Sequence, residues 1–124
     1  MKLLDNIKVL DLTNVLSGPF ATLHLALLGA EVIKIENPIG GDLARNLGCV
    51  PEYNKKLMGT SFIAQNANKK SLTLNLKESQ AVEIFKKLVV NTDLLVENFR
   101  PGVMDRLGIG YKVLKEINPR LVYV

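Results

Sequence analysis

Asn98-Phe99-Arg100-Pro101-Gly102 gathers an amide, an aromatic face and a guanidinium within one short stretch, with proline and glycine to fix a turn. Arg106 follows about one helical turn later. An aromatic ring that stacks on an adenine, beside an arginine that pairs with phosphate, would suit a coenzyme pocket. A hydrophobic plug flanked by two surface arginines is the equal alternative from these residues alone. A second stretch, Thr13 to Gly18, is polar and small, and Pro19 follows where a helix accepts proline. Glycine lets backbone approach a ligand and the helix N-terminus favours phosphate, although a tight strand-to-helix turn needs the same residues. The full GxGxxG fingerprint is absent, so an ordinary dinucleotide site is not supported. Glu36 closes an apolar run where a ribose-binding acid is often found, against the plainer reading of a solvated strand end. Asp11 and Asp42 are acids that either serve a site or simply form turns. His24, inside an apolar stretch, is expected to be packed core. Cys49 has no partner and is expected to be inert. One histidine cannot complete a Ser/His/Asp set, and one cysteine excludes an internal disulfide and a cysteine-based metal site. No catalytic residue and no metal ligand is assigned.

These stretches need a framework that brings them to one place. Residues 7–12 and 31–36 are short β-branched and aliphatic runs, and residues 19–28 between them form an apolar helix stopped by Gly29. That helix is apolar nearly all round, so burial on more than one side is expected. Strand, helix and strand with tight connections make a βαβ unit with parallel strands. Residues 42–70 are irregular in pattern, with a short helical stretch around 59–66. The alternation of residues 72–76 predicts a strand or an extended lead-in. Residues 77–90 are amphipathic, with Ala81, Ile84, Phe85 and Leu88 at helical spacing. A strand over 93–97, short helices over 103–107 and 111–117, and a strand over 121–124 complete the pattern. The expected fold is α/β: a Rossmann-like open parallel sheet with helices on both faces, residues 1–124 forming one unit without a second domain. The final strand has no helix behind it, which leaves the layer unfinished. The fold is therefore expected to be incomplete, truncated from a longer chain.

Composition excludes several classes. The chain is 48% hydrophobic and 23% charged, ordinary values for a globular domain. Its net charge of +4 is spread over separate lysine pairs, with 6% aromatics, unlike the dense basic stripe of a nucleic-acid binder. No apolar run approaches the ~18–20 residues that span a bilayer, and the N-terminus lacks a signal-peptide pattern. Cytoplasmic residence, or a similar reducing compartment, is the simplest reading of one cysteine. The lysines are expected to lie largely on solvated surface or to favour a small anionic ligand.

Read in order, Val9-Leu10-Asp11-Leu12-Thr13, Leu16-Ser17-Gly18-Pro19-Phe20-Ala21 and Leu28 through Glu36 resemble the opening of class III CoA-transferases, the carnitine-dehydratase/bile-acid-inducible type. Gly40-Gly41-Asp42 with Arg45, Asn68 to Leu72, Val96 to Gly102, Leu107 to Tyr111 and Asn118-Pro119-Arg120 extend the resemblance along essentially the whole chain. The resemblance implies transfer of CoA between an acyl group and a carboxylic acid through a catalytic aspartate located beyond this stretch. Coenzyme A and acyl-CoA are then substrates rather than tightly bound cofactors, and longer relatives pair as interlocked homodimers. A branch of the family racemises 2-methylacyl-CoA instead. By motif match, Ser17, Leu74, Asn75, Lys77, Asn98, Phe99 and Arg106 are the implied CoA contacts. Asn37 departs from the pattern, because many members carry arginine there; Arg45 or a lysine would have to compensate. Leu16 stands where formyl-type transferases carry glutamine, which argues against the oxalate/formate branch. A free-standing CoA- or nucleotide-binding module is the rival reading. A receiver-like signalling domain ranks last, because Asp11 lacks an adjacent acid.

Overall fold

The computed structural model describes residues 2–124, and its core is an all-parallel sheet of five strands in the order β3-β2-β1-β4-β5. β1 (Lys8–Asp11) runs into α1 (Ser17–Leu27), which returns the chain to β2 (Glu31–Glu36) beside β1. A 3-10 turn (Leu43–Asn46), α2 (Pro51–Lys55) and α3 (Thr60–Asn66) lead to β3 (Lys70–Thr73), which adds to the outer edge of β2. α4 (Ser79–Val89) then crosses back to β4 (Leu94–Val96) on the far side of β1. α5 (Val103–Arg106) and α6 (Tyr111–Ile117) lead to β5 (Val122–Tyr123). The order reverses between β1 and β4, and such a reversal opens a crevice beyond the strand carboxyl ends. The expected α/β architecture is therefore present.

Side chains alternate between the two faces of each strand, and each face builds its own apolar cluster. Leu10, Leu12, Ile35 and Leu95 pack with Phe85 and Val89 of α4, Met104 of α5 and Leu114 of α6. On the opposite face Val9, Val32 and Val96 pack with Ala26 of α1 and with Ala30. Parallel strands covered on both sides are apolar almost throughout. The buried departures from that rule, Asp11, Lys34 and Glu36, lie toward strand carboxyl ends.

Several local expectations are corrected. α1 starts at Ser17 rather than Pro19, because glycine and proline both fit the first turn, where backbone N–H groups have no helical partner anyway. It is buried on one side only: Pro19, Thr22, Leu23 and Ala26 face inward, whereas Phe20, Leu27 and Leu28 are 52%, 58% and 43% exposed. His24 lies on that outer side, with its ring edge-on to Phe20 at 4.4 Å, and is not core. In α4 the buried stripe is Ala81, Phe85 and Val89, one residue per turn, and Ile84 faces outward. β3 begins at Lys70, earlier than the 72–76 alternation suggested, because its pairing with Ile33–Glu36 fixes the register. No helix among the described residues is long and apolar enough to cross a membrane.

Candidate functional site

Beyond the carboxyl ends of the strands the two faces of the sheet differ. On the α1 face a charged network is closed upon itself. The Asp11 carboxylate accepts from the Thr13 amide at 2.9 Å and from its hydroxyl, from the Thr22 hydroxyl at 2.6 Å and from the Lys69 ammonium at 2.9 Å. Lys69 also donates to the Pro19 carbonyl, the Thr22 hydroxyl and the Asn66 side chain within 2.9 Å. Burial alone would raise the Asp11 carboxyl, but the ammoniums of Lys34 and Lys69 and the two hydroxyls hold it below its ordinary range. Lys34, 2% exposed, donates to the Thr13 carbonyl at 2.6 Å and lies 3.0 Å from Asp42 Oδ2.

The network continues along β2. Glu36 accepts two parallel bonds from Arg45, each at 2.7 Å, and one from the Asp42 amide at 2.8 Å. Burial opposes its charge, yet these bonds keep its carboxyl below the usual value. The Arg45 guanidinium in turn lies over the Phe62 ring at 3.7 Å. Three ion pairs, Lys34–Asp42, Arg45–Glu36 and Lys69–Asp11, thus balance one another. The expectation of a solvent-facing Glu36 is overturned, and Lys34 and Lys69 are the exceptions among largely exposed lysines, because a charge at the end of an interior strand must be paired to be buried. Asp11 and Asp42 do shape turns, holding the Thr13 and Ala44 N–H groups, but are buried in ion pairs as well. Gly18 belongs here too. A Cβ at that position would collide with the Thr13 side chain, so its lack of a side chain admits Thr13 rather than a ligand.

On the α4 and α5 face an open cavity of about 310 Å³ lies beyond the strand ends. Leu12, Ile35, Leu74 and Leu76 give it an apolar floor, Phe99, Val103 and Leu107 one wall, and Asn14, Asn37, Asn75 and Lys77 its polar groups, with Glu36 of the ionic network also in the lining. An apolar recess with a few polar groups at its edge has the character of a small-molecule site. Among the implied CoA contacts, Leu74, Asn75, Lys77 and Phe99 line this cavity. Arg106 lines an adjoining cleft that shares Leu76, Lys77 and Leu107 with it. Ser17 opens α1 and is exposed, outside the lining. Asn98 is also outside the lining; its amide oxygen accepts from the Asn14 N–H at 2.8 Å and its amide nitrogen donates to the Asn14 carbonyl at 2.9 Å. These two bonds stitch the β1 and β4 loops across the crevice where the strand order reverses. Asn37 lines the cavity while its side chain accepts the Ile39 N–H at 2.8 Å, and Arg45 is bonded to Glu36.

Carboxylates at this end of the sheet are engaged. Glu97 accepts the Phe99 N–H at 2.7 Å and the Tyr123 hydroxyl at 3.3 Å. Burial and that neighbouring carboxylate push the Tyr123 hydroxyl up to about 12. Among the described residues no three His, Cys, Asp or Glu side chains converge as a metal would require. Cys49 is exposed and unpaired.

Comparison with known proteins gives the arrangement a context. The model for CoA-transferase family III matches residues 4–124. A succinyl-CoA:glutarate CoA-transferase of Mus musculus is 45% identical over 99% of this chain and 28% of its own length. An acetyl-CoA:oxalate CoA-transferase of Acetobacter aceti is 50% identical over 96% of this chain and 30% of its own. The chain therefore spans under a third of the curated relatives it matches. Relatives named for succinyl-CoA and for oxalate match at similar identity, so identity over this stretch does not sort the branches that Leu16 was read to separate. Among solved structures, a hypothetical protein (Rv3272) of Mycobacterium tuberculosis superposes with a TM-score of 0.88 at 41% identity, covering 99% of this chain and 32% of that one. A CAIB/BAIF family protein of Brucella suis gives 0.86 at 35% identity, over 98% of this chain and 32% of that one.

Proposed function

Because the chain belongs to CoA-transferase family III, we propose that it supplies the coenzyme A-binding side of an acyl-CoA:carboxylate CoA-transferase. The observation that carries this reading is the cavity on the α4 and α5 face, lined by Leu74, Asn75, Lys77 and Phe99. Phe99 and the leucines offer a flat apolar wall for the adenine, and Asn75 offers directional hydrogen bonds. Lys77, with Arg106 in the adjoining cleft, offers positive charge to the phosphates. Ser17 and Asn98 border this end of the sheet and complete the proposed contacts. Asn98 keeps one amide hydrogen and one carbonyl lone pair beyond those used on Asn14.

The reacting carboxylate is proposed to come from outside this chain. Asp11, Glu36 and Asp42 are buried in ion pairs, and Glu97 holds the Phe99 amide. A nucleophile must reach the substrate unencumbered. In the proposed chemistry a carboxylate adds to the thioester carbonyl of an acyl-CoA and the CoA thiolate leaves, forming a mixed anhydride. The thiolate then attacks the enzyme's own carbonyl of that anhydride, which releases the first acid and leaves an enzyme–CoA thioester. An acceptor carboxylate attacks this thioester in turn, and the returning thiolate completes the new acyl-CoA. The nucleotide handle stays bound throughout and keeps the thiolate close, which makes each return effectively intramolecular. Small carboxylic acids are the proposed second substrate. A homodimer is the proposed assembly, whose contacts would cover Phe20, Leu27 and Leu28. The single thiol suits a reducing compartment such as the cytoplasm.

Calorimetry of the intact protein with CoA and 3′-dephospho-CoA tests the reading. A charged hydrogen bond contributes about 1.5–3 kcal/mol, so Lys77→Ala is expected to weaken CoA by about tenfold to a hundredfold. Equal affinity in parent and variant would remove Lys77 from the site, and no binding by the folded parent would overturn the reading.

A further inference from the structure

Val15 stands in the left-handed backbone region, at φ 72°. A β-branched residue rarely tolerates this region, because its Cβ crowds the backbone there. Such a conformation persists only where surrounding bonds dictate it, and here the bonds come from two neighbouring loops. The Val15 N–H donates to Asp42 Oδ1 at 2.9 Å. Asp42 is itself fully buried, holds the Ala44 N–H with the same oxygen at 2.9 Å, and faces the Lys34 ammonium. On the other side, the preceding residue Asn14 is held at both its N–H and its carbonyl by Asn98. The Asn14–Val15 pair is thus gripped between the loop after β2 and the loop after β4, and Asn14 lines the cavity.

We infer that Asp42 and Asn98 are positioning residues that force Val15 into its left-handed turn and thereby set the Asn14 wall of the cavity. This rests on the proposed CoA site. Asp42 acts without touching ligand: it lies on the α1 face, outside the cavity lining. Without either grip Val15 returns to negative φ, and the wall at Asn14 shifts with it. Glycine has no such preference. A glycine at this position would therefore hold the native turn with fewer bonds, and that makes the inference testable by rescue.

The test uses the intact protein, with CoA affinity by calorimetry and thermal midpoint read in parallel. Asp42→Ala and Asn98→Ala are each made alone and in the Val15→Gly background, with Val15→Gly alone as the reference. Asn98 is exposed, so its variant remains informative if the Asp42 variant does not fold. Each grip variant is expected to weaken CoA by about tenfold, the scale of one left-handed residue. In the Val15→Gly background the Asp42 change is expected to cost threefold or less (about half of the free-energy loss), and the Asn98 change less than it costs alone, the remainder being its proposed contact with CoA. Equal losses in both backgrounds would overturn the inference and leave Asn98 as a direct contact or Asp42 as a merely structural acid. The thermal midpoints separate the two claims. Coupling between positions 15 and 42 in stability, with no CoA bound by the parent, would uphold the turn but overturn the CoA reading. CoA binding without coupling in either readout would do the reverse.

Discussion

The two faces of one sheet end divide its labour. On the α1 face Asp11, Lys34, Glu36, Asp42, Arg45 and Lys69 carry most of the local charge, yet they balance in three pairs and are largely shut off from water. On the α4 and α5 face the cavity is mainly apolar, with Asn14, Asn75 and Lys77 at its edge. On the charge-rich side the charges face one another, whereas the charge-poor side has a recess with polar groups at its edge. Charge in a sequence is therefore a poor guide to a ligand site until its pairing is known. The ionic side serves as scaffold: it fixes the loops after β1 and β2 from which one wall of the cavity is made.

The contrast can be broken from the scaffold side first, where the effect is largest. Asp11→Ala would leave Lys69 and Lys34 facing a vacated site. Removing one partner of a buried pair typically costs about 3–5 kcal/mol, and urea unfolding of the intact protein is expected to show a loss of that order. A loss near zero would mean that the network is solvated and not a scaffold.

From the cavity side, Phe99→Ala is expected to weaken CoA by roughly tenfold through loss of stacking surface worth about 1–1.5 kcal/mol. Because Phe99 is half-buried at the cavity rather than central in the core, its effect on thermal midpoint should be minor beside that of Asp11→Ala. Equal damage to stability and binding would blur the division. Arg106→Ala is expected to weaken CoA less than Lys77→Ala, since Arg106 occupies the adjoining cleft, and its effect should shrink as salt rises.

Acid supplies the gentlest probe. Asp11 and Glu36 have folded-state values below their ordinary 3.8 and 4.5. A carboxyl depressed by folding contributes stability that is complete above its ordinary value and is lost as pH falls through the folded one. The thermal midpoint should therefore hold from neutral pH down to about pH 5 and fall below about pH 4. Glu36→Gln should flatten part of that acid limb. An unchanged limb in the variant would show that Glu36 is not coupled to folding.

Much of the fold was legible in the residues. The apolar runs at 7–12 and 31–36 and the strand at 93–97 became β1, β2 and β4, because parallel strands covered on both faces need continuous hydrophobicity. Gly18-Pro19 marked the α1 entry to within two residues. The cavity was partly legible through Leu74 to Lys77 and Phe99. The scaffold was not, although Glu31-Val32-Ile33-Lys34-Ile35-Glu36 carried the clue. A lysine set within an interior strand of an all-parallel sheet must be buried, and a buried ammonium demands an acid. Its partner Asp42 is distant enough in sequence that only the chain's return through Gly40-Gly41 brings them together. The strain at Val15 was equally hidden, since no local motif places a β-branched residue at positive φ; it arises from bonds to Asp42 and Asn98, far along the chain. The outer side of α1 misled the burial expectation because hydrophobicity all round a helix does not say which surface is available to cover it.

A crystal structure of the intact protein with CoA would test the division most directly. The nucleotide is expected in the cavity, with its base against Phe99 and its phosphates toward Lys77 and the Arg106 cleft, while the Lys34–Asp42 and Lys69–Asp11 pairs stay closed. A nucleotide seated instead on the α1 face, with Lys34 or Lys69 turned from its carboxylate onto a phosphate, would contradict it.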